Sequence, residues 1–369
     1  MAVRYLEAQI KKDLNRKMVF VGGPRQVGKT TLAKQVLGKK TGYLNWDDSL
    51  DRERILKREL PSSKLWVFDE IHKYRSWRNY LKGLFDKERE HHQILVTGSA
   101  RLDFYRFSGD SLQGRYHYLR MNPISFAEAK TWGDSDLNTL FKFGGFPEPY
   151  FEQNLTLQKR WSREYRTRFL KEDLIDLERV QDLGSLELLM LRLPTLVGSP
   201  LSINSLREDL QLNFRTVSRW LEILERLYHI FRISPFGAPK IRAVKKEQKH
   251  YHYDWTLISD PGIRFENLVA AHLLKWVQFL EDTEGRNVEL RFFRDIDGRE
   301  VDFVIMEEGK PVQFIECKIG DEPISRGIYY LKERFPKVET WQISLQGKKD
   351  FEKNGIRVCP AATFLETLV

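Results

Sequence analysis

The residues that could do chemistry fall in two groups. The first is Gly23-Pro24-Arg25-Gln26-Val27-Gly28-Lys29-Thr30, which satisfies every fixed position of G-x-x-x-x-G-K-[ST]. Glycines at these places let successive backbone N–H groups turn inward around phosphate oxygens. The helix pattern that follows, TTLAKQVLG, adds the positive end of its dipole, and Thr31 completes the nucleotide-binding stretch. Lys29 is suited to neutralise charge on the β- and γ-phosphates, and the Thr30 hydroxyl to ligate Mg2+. The loop is expected to hold Mg–ATP.

Asp69 ends the apolar run LWVF, where a carboxylate can hold the Mg2+ shell. Glu70 follows at once and can polarise an attacking water, which a hydrolase needs and a pure binder does not. The alternative for Glu70 is a solvated strand end. Thr97 and Ser99 close the run ILVTGS, where a hydroxyl could contact the γ-phosphate or the water, or simply satisfy a turn. Arg115 could stabilise transition-state charge, in its own chain or from a neighbouring subunit, or lie on the surface as a strand begins.

The second group is carried by GREVDFVIMEEGKPVQFIECKIG, which reads as a hairpin turning through Glu308-Gly309-Lys310. In its second strand Phe314, Glu316 and Lys318 share one face, and Ile315, Cys317 and Ile319 the other. An acid and a lysine two apart on an otherwise apolar strand are costly to bury unpaired. Asp302 on the partner strand and Glu316 could together hold a divalent metal, with Glu266 on the preceding helix completing the shell. Such a metal lowers the pKa of bound water, and Lys318 could orient that water or steady developing charge. The alternative is a structural Asp–Lys–Glu network without chemistry.

The elements that must position these residues follow from the pattern. Residues 18–22, 42–46, 64–70, 93–99 and 115–121 read as short strands alternating with helices, which predicts an α/β domain with a parallel sheet over 1–130. GGFPEPYF is a Gly/Pro-rich break, and residues 131–180 read as a helical linker. Over 181–253 the pattern predicts a winged-helix-like segment. Ser202 and Asn213 cap two helices, and Val217, Trp220, Leu221, Leu224, Leu227 and Phe231 form an apolar stripe. Arg215 and Arg219 share the opposite face, and Lys245, Lys246 and Lys249 fall where a wing would contact a DNA backbone. A packing helix with merely solvated arginines is the alternative. Residues 254–369 read as helix, strand, strand, helix, strand.

The 369-residue chain, with 41% hydrophobic and 31% charged residues, suits a soluble protein of two or three domains. A net charge of +9 permits nucleic-acid partners without requiring them. Two cysteines, Cys317 and Cys359, form no C-x-x-C pair, which argues against a zinc site or a disulfide framework. The charged N-terminus lacks a signal-peptide core, and no apolar run is long enough to span a membrane, so a cytoplasmic location without a membrane partner is expected.

The order of motifs resembles the additional-strand, catalytic-glutamate branch of P-loop NTPases. The strings GGPRQVGKTTL, LWVFDEIHKY, LVTGSA, LQGRYHYLRMNPISFAEA, GGFPEPY, YHYDWTLISDPGIRFENLVAAHL and GREVDFVI…IECKIG, in this order, resemble a prokaryotic family of AAA-like ATPases. The C-terminal half of that family is a domain of unknown function of restriction-endonuclease type, with a D…E-x-K signature. The resemblance implies an ATPase module, a winged-helix segment and a nuclease-like end. It supports Lys29, Thr30, Asp69 and Glu70 for ATP, and Glu266, Asp302, Glu316 and Lys318 for the second site. Two readings follow. One is a DNA-handling ATPase with a metal-dependent nuclease-like domain. The other is a nucleotide-driven switch or scaffold whose C-terminal fold only docks. A homo-oligomer is compatible with either reading. A P-loop kinase fits less well, because nothing after the loop resembles an acceptor lid.

Overall fold

A computed structural model describes residues 2–38, 41–98, 112–170, 182–237 and 248–369. They divide into two compact units: Met1–Pro123 with Asp282–Gly285, and Ile124–Glu281 with Arg286–Val369.

The first unit opens with helix α1 (Glu7–Asp13) and then alternates strand and helix: β1 (Met18–Gly22), α2 (Lys29–Leu37), β2 (Tyr43–Asn45), α3 (Ser49–Lys57), β3 (Leu65–Asp69), α4 (Trp77–Glu88), β4 (Gln93–Thr97) and β5 (Tyr116–Arg120). All five strands are parallel, in the order β2-β3-β4-β1-β5. The expected strands are present, each trimmed by a residue or two at most except β1, which matches its expected bounds. Every residue of β1 and β3 is buried, as befits central parallel strands covered on both faces. Phe20, Phe68 and Val96 pack with Trp77, Leu81 and Leu84 of α4 in one apolar cluster. In the chain β2 lies between the two phosphate-site motifs. In the sheet β2 stands at the edge, and β4 is the strand that separates β1 from β3. Because the strands run together, their C-terminal residues Gly22, Asn45, Asp69 and Thr97 all reach one edge of the sheet, where ligands bind in open α/β folds.

The second unit begins with helices α5 (Phe126–Thr131), α6 (Leu137–Phe143), α7 (Pro147–Glu152), α8 (Leu155–Arg168), α9 (Leu183–Arg192), α10 (Ile203–Asp209) and α11 (Phe214–Arg226). GGFPEPYF lies inside this unit. Gly144, at φ 82°, ends α6, and Pro147 opens α7 at a first-turn position where its missing N–H costs nothing. Strands β6 (Ile230–Pro235) and β7 (Lys249–His252) follow, then α12 (Pro261–Glu284), β8 (Val288–Arg294), β9 (Glu300–Glu307), β10 (Lys310–Lys318), α13 (Arg326–Arg334), β11 (Glu339–Ser344), β12 (Phe351–Lys353), β13 (Ile356–Pro360) and α14 (Ala361–Leu365). One sheet joins them in the order β12-β13-β11-β10-β9-β8-β6-β7. The strand pattern adds β8, β12 and β13 to the elements expected from sequence. The hairpin β9–β10 turns at Glu308 and Gly309, both at positive φ (48° and 76°), the conformation of a tight two-residue hairpin. Among the described residues, no helix is long and apolar enough to cross a membrane.

Candidate functional site

The phosphate loop hangs between the end of β1 and the start of α2. Gly23 sits at φ 139° with Met121 O only 2.2 Å from where a Cβ would stand, so no side chain fits. Gly28 caps α2 at φ 101°, and α2 then directs its N-terminal amides at the loop. Arg4 ties the loop down by donating to Val27 O at 2.6 Å and to Asn122 O at 2.7 Å. The Lys29 ammonium is folded onto the loop itself, donating to Gly23 O (2.9 Å) and Pro24 O (2.5 Å). Thr30 and Thr31 are exposed on the first turn of α2, with Gln26 exposed and Arg25 half-buried on the loop before them.

Asp69 is buried at the end of β3 and receives three hydroxyls. Thr30 Oγ1 (2.8 Å) and Tyr43 OH (2.7 Å) donate to Oδ2, and Thr97 Oγ1 (2.6 Å) donates to Oδ1. The Thr30–Asp69 contact brings together the two residues expected to share Mg2+. Their oxygen donors suit that hard cation, which commonly takes one carboxylate, one hydroxyl, waters and phosphate oxygens. Thr97 is 1% exposed and spends its hydroxyl on Asp69, so it orients the carboxylate. Ser99 lies outside the described residues.

Glu70 stands one step beyond the sheet in the left-handed region, φ 57°, and its N–H is held by Thr97 O at 2.9 Å. Its carboxylate is 3.6 Å from both Lys73 Nζ and His72 Nε2, and Lys73 is anchored to Asp47 at 2.5 Å. Burial raises the Glu70 pKa above the usual carboxylate range, opposed by the charges of Lys73 and Lys29. Arg115 is placed elsewhere. It precedes β5 beside Met18, at the N-terminal edge of the sheet, and forks onto Asp86 of α4 at 2.7 and 3.1 Å. A five-residue strand, roughly 16 Å, separates it from the phosphate loop. Arg115 therefore does not reach the loop of its own chain.

In the second unit, β9 and β10 pair with Phe303 opposite Ile315, so the next step of that register sets Asp302 opposite Glu316. Asp302 Oδ2 accepts from Cys317 N at 2.8 Å, and Lys318 Nζ donates to Glu316 Oε1 at 3.0 Å. Glu316 Oε2 is buried without a hydrogen-bond partner. Burial, then the charge of Asp302, pushes the Glu316 pKa up to about 8 against the pull of Lys318. These two carboxylates, one with an orphaned oxygen, suit a divalent ion.

Glu266, the third expected ligand, has one carboxylate oxygen already engaged: Oε1 accepts from Tyr251 OH at 2.7 Å and from Lys249 Nζ at 3.2 Å. Among the described residues, no group of three or more His, Cys, Asp or Glu side chains is gathered closely enough to hold a metal. Lys249 is itself a correction. Expected on a wing facing DNA, it is 1% exposed in β7, whose four residues are all buried in the sheet. Lys245 and Lys246 lie outside the described residues. Tyr43, Tyr251 and Glu300, none singled out from sequence, each touch a site. The alternation KHYHY, which sets Lys249 and Tyr251 on one strand face, was the available signal for the lysine and Tyr251.

The two caps expected in the helical segment form: Ser202 Oγ accepts from Ser205 N at 3.3 Å and Asn213 Oδ1 from Thr216 N at 2.8 Å. Val217, Trp220, Leu221 and Leu224 are buried, while Arg215, Arg219 and Arg226 are exposed on the other side of α11.

Three stretches of the chain match known families: residues 15–130 an AAA domain, 134–260 a domain of unknown function, and 261–364 a second domain of unknown function. An uncharacterized protein of Methanocaldococcus jannaschii is 24% identical over 345 residues, covering 82% of this chain and 76% of its own. An uncharacterized protein of Mycobacterium tuberculosis is 25% identical over 257 residues, covering 68% of this chain and 57% of its own. Among solved structures, a Bacteroides Pif1 helicase in complex with ADP-AlF3 and single-stranded DNA shares 16% identity over 33% of this chain and 42% of its own, at TM-score 0.22. The Bacillus subtilis DNA clamp loader delta protein shares 9% identity over 60% of this chain and 88% of its own, at TM-score 0.29. The AAA match, laid over the phosphate loop and Asp69, supports an AAA-like P-loop ATPase in the N-terminal part of the chain.

Proposed function

We propose that this protein hydrolyses ATP in its first unit and engages nucleic acid through its second, where a nuclease-like site is built on β9 and β10. The observation that carries the ATPase reading is the meeting of Thr30, Asp69 and Glu70 at the same sheet edge as the phosphate loop. Lys29 would leave the loop carbonyls for the phosphate charge, and Thr30 with Asp69 would hold Mg2+, which neutralises that charge when bound. Glu70 would accept a proton from the attacking water. The interposed strand β4 supports the additional-strand, catalytic-glutamate branch.

The order α12, three antiparallel strands, α13 and a parallel β11 supports the restriction-endonuclease-like reading, and α10–α11 with the β6–β7 hairpin supports a winged helix. Asp302 and Glu316 would hold a divalent ion that supplies an activated water, and Lys318 would orient it. Arg215 and Arg219 would meet phosphates. A second reading, a nucleotide-driven switch with a docking C-terminal unit, is favoured by the lysine already buried among the acids.

The test is ATP turnover beside cleavage of plasmid and single-stranded DNA, scanned over Mg2+, Mn2+ and ATP. Lys29→Ala is expected to abolish turnover, and Asp302→Ala or Lys318→Ala to abolish cleavage. Turnover intact without cleavage under any condition leaves the switch, whose sign would be an ATP-dependent change of oligomer on size exclusion.

A further inference from the structure

Lys249 has 1% of its side chain exposed, a burial that an ammonium tolerates only among compensating charges. Those charges come from two elements far away in the chain. Its Nζ lies 3.2 Å from Glu266 Oε1 on α12 and 2.5 Å from Glu300 Oε1 at the start of β9, and Asp302 is near enough to act on it. Glu266 is held from a second side by Tyr251 OH, two residues along the same face of β7 as Lys249. The strand is fixed in place: Leu201 N donates to Gln248 O at 2.8 Å, Pro200 bridges to Lys249, and β7 pairs with β6 from Ile233–Lys249 to Ile230–His252. The ammonium is thus delivered by a constrained strand, on a side chain too buried to swing out to solvent. Two carboxylates brought together without a cation would repel one another; here a cation belonging to the chain stands between Glu266 and Glu300.

We propose that Lys249 is the resident cation of this acidic cluster, standing where Glu266 and Glu300 would otherwise draw a divalent metal. Glu266 and Glu300 are then positioning residues for Lys249, and divalent binding in this unit is confined to Asp302 and Glu316. The confinement to that pair rests on the nuclease-like reading, whereas the role of Lys249 stands without it. The arrangement also makes the hairpin that follows α11 a structural part of the acidic site.

The experiment is a Mn2+ titration, by calorimetry and by the EPR signal of free Mn2+, on the full chain without nucleotide or nucleic acid. Glu266→Gln, nearly the same shape as the wild type, is expected to leave Mn2+ affinity within about twofold. Lys249→Met is expected to gain one Mn2+ site or to tighten binding at least tenfold, and Glu266→Gln in that background to remove the gain. If Lys249→Met does not fold in metal-free buffer, Mn2+ must restore its folding, because the ion replaces the missing charge. Loss of Mn2+ binding on Glu266→Gln in the wild-type chain overturns the proposal. So does a folded Lys249→Met chain with no gain, or an unfolded one that Mn2+ does not rescue. Cleavage is read separately, so a chain that binds Mn2+ as described yet cuts nothing refutes the nuclease reading and leaves this one standing.

Discussion

Asp69 shows how much of an ATP site lies in the residues around its named members. Two hydroxyls converge on Oδ2 and one on Oδ1, so the carboxylate is oriented before any ligand arrives. If Thr30 were to leave Asp69 for a metal, Tyr43 and Thr97 would remain to hold the carboxylate. Tyr43→Phe removes a hydrogen bond to a charged acceptor, worth about 1.5 kcal/mol, so the Mg2+ concentration for half-maximal ATP turnover should rise about tenfold with little change in kcat. A Mg2+ titration of turnover checks this, and an unchanged midpoint would mean that the tyrosine only packs. Glu70→Gln should lower turnover about 10²–10³-fold while nucleotide binding persists. Since a general base must be unprotonated and burial raises the Glu70 pKa, wild-type turnover should climb with pH through a midpoint above the ordinary carboxylate value. Rates measured across the acidic range, in a buffer of constant ionic strength, test the direction.

At the scale of elements, α5 is locked into the second unit by polar contacts. Ser125 and Glu128 form a capping box at its start. Lys275 of α12, 1% exposed, is paired with Glu128, 4% exposed, and also donates to Ser125 Oγ at 2.8 Å. Removing one partner strands the other, so Glu128→Ala should cost about 3–5 kcal/mol in urea unfolding, while Lys275→Met with Glu128→Leu should cost much less. Beside them His272 Nε2 accepts from Phe126 N at 2.9 Å and Nδ1 contacts Leu268 O at 2.8 Å, which demands a neutral ring. Burial lowers the pKa of His272 to about 4, and does the same for His229 and His250. Between pH 6.5 and 4 the unfolded chain therefore binds protons that the native histidines refuse, and their contribution to stability is lost as pH falls through that window. His272→Gln, whose side-chain oxygen can take the Phe126 N–H, should show a smaller loss in urea midpoint between those limits than the wild type.

For the whole molecule, the net charge of +9 becomes a testable statement only through the face that displays it. If α11 meets nucleic-acid phosphates, Arg215→Ala and Arg219→Ala should each weaken binding of unrelated DNA sequences alike. Each should also reduce the slope of log affinity against log salt by about 1. Slopes unchanged in both variants would remove α11 from the interface. If the second unit cleaves nucleic acid as proposed, a functional link between the units requires that Lys29→Ala change that cleavage, which the cleavage assay reads directly.

The phosphate loop, the five strands around it and the caps Ser202 and Asn213 were legible in the amino-acid sequence, because each is set by neighbours a few residues away. A glycine at positive φ, an apolar run of strand length, and a side chain bonding an amide three residues on are all local. Partners were not legible where they come from distant elements. Tyr43 belongs to the phosphate site because β2 lies beside β3, and Arg115 leaves it because β5 begins at the opposite edge. Lys249 read as a surface charge in a basic stretch. Only the pairing of β7 with β6, and the approach of α12 and β9, turned it inward onto Glu266 and Glu300. Sequence chose the side chains and the period of each strand, while tertiary structure decided which charges face each other, since that depends on register and strand order.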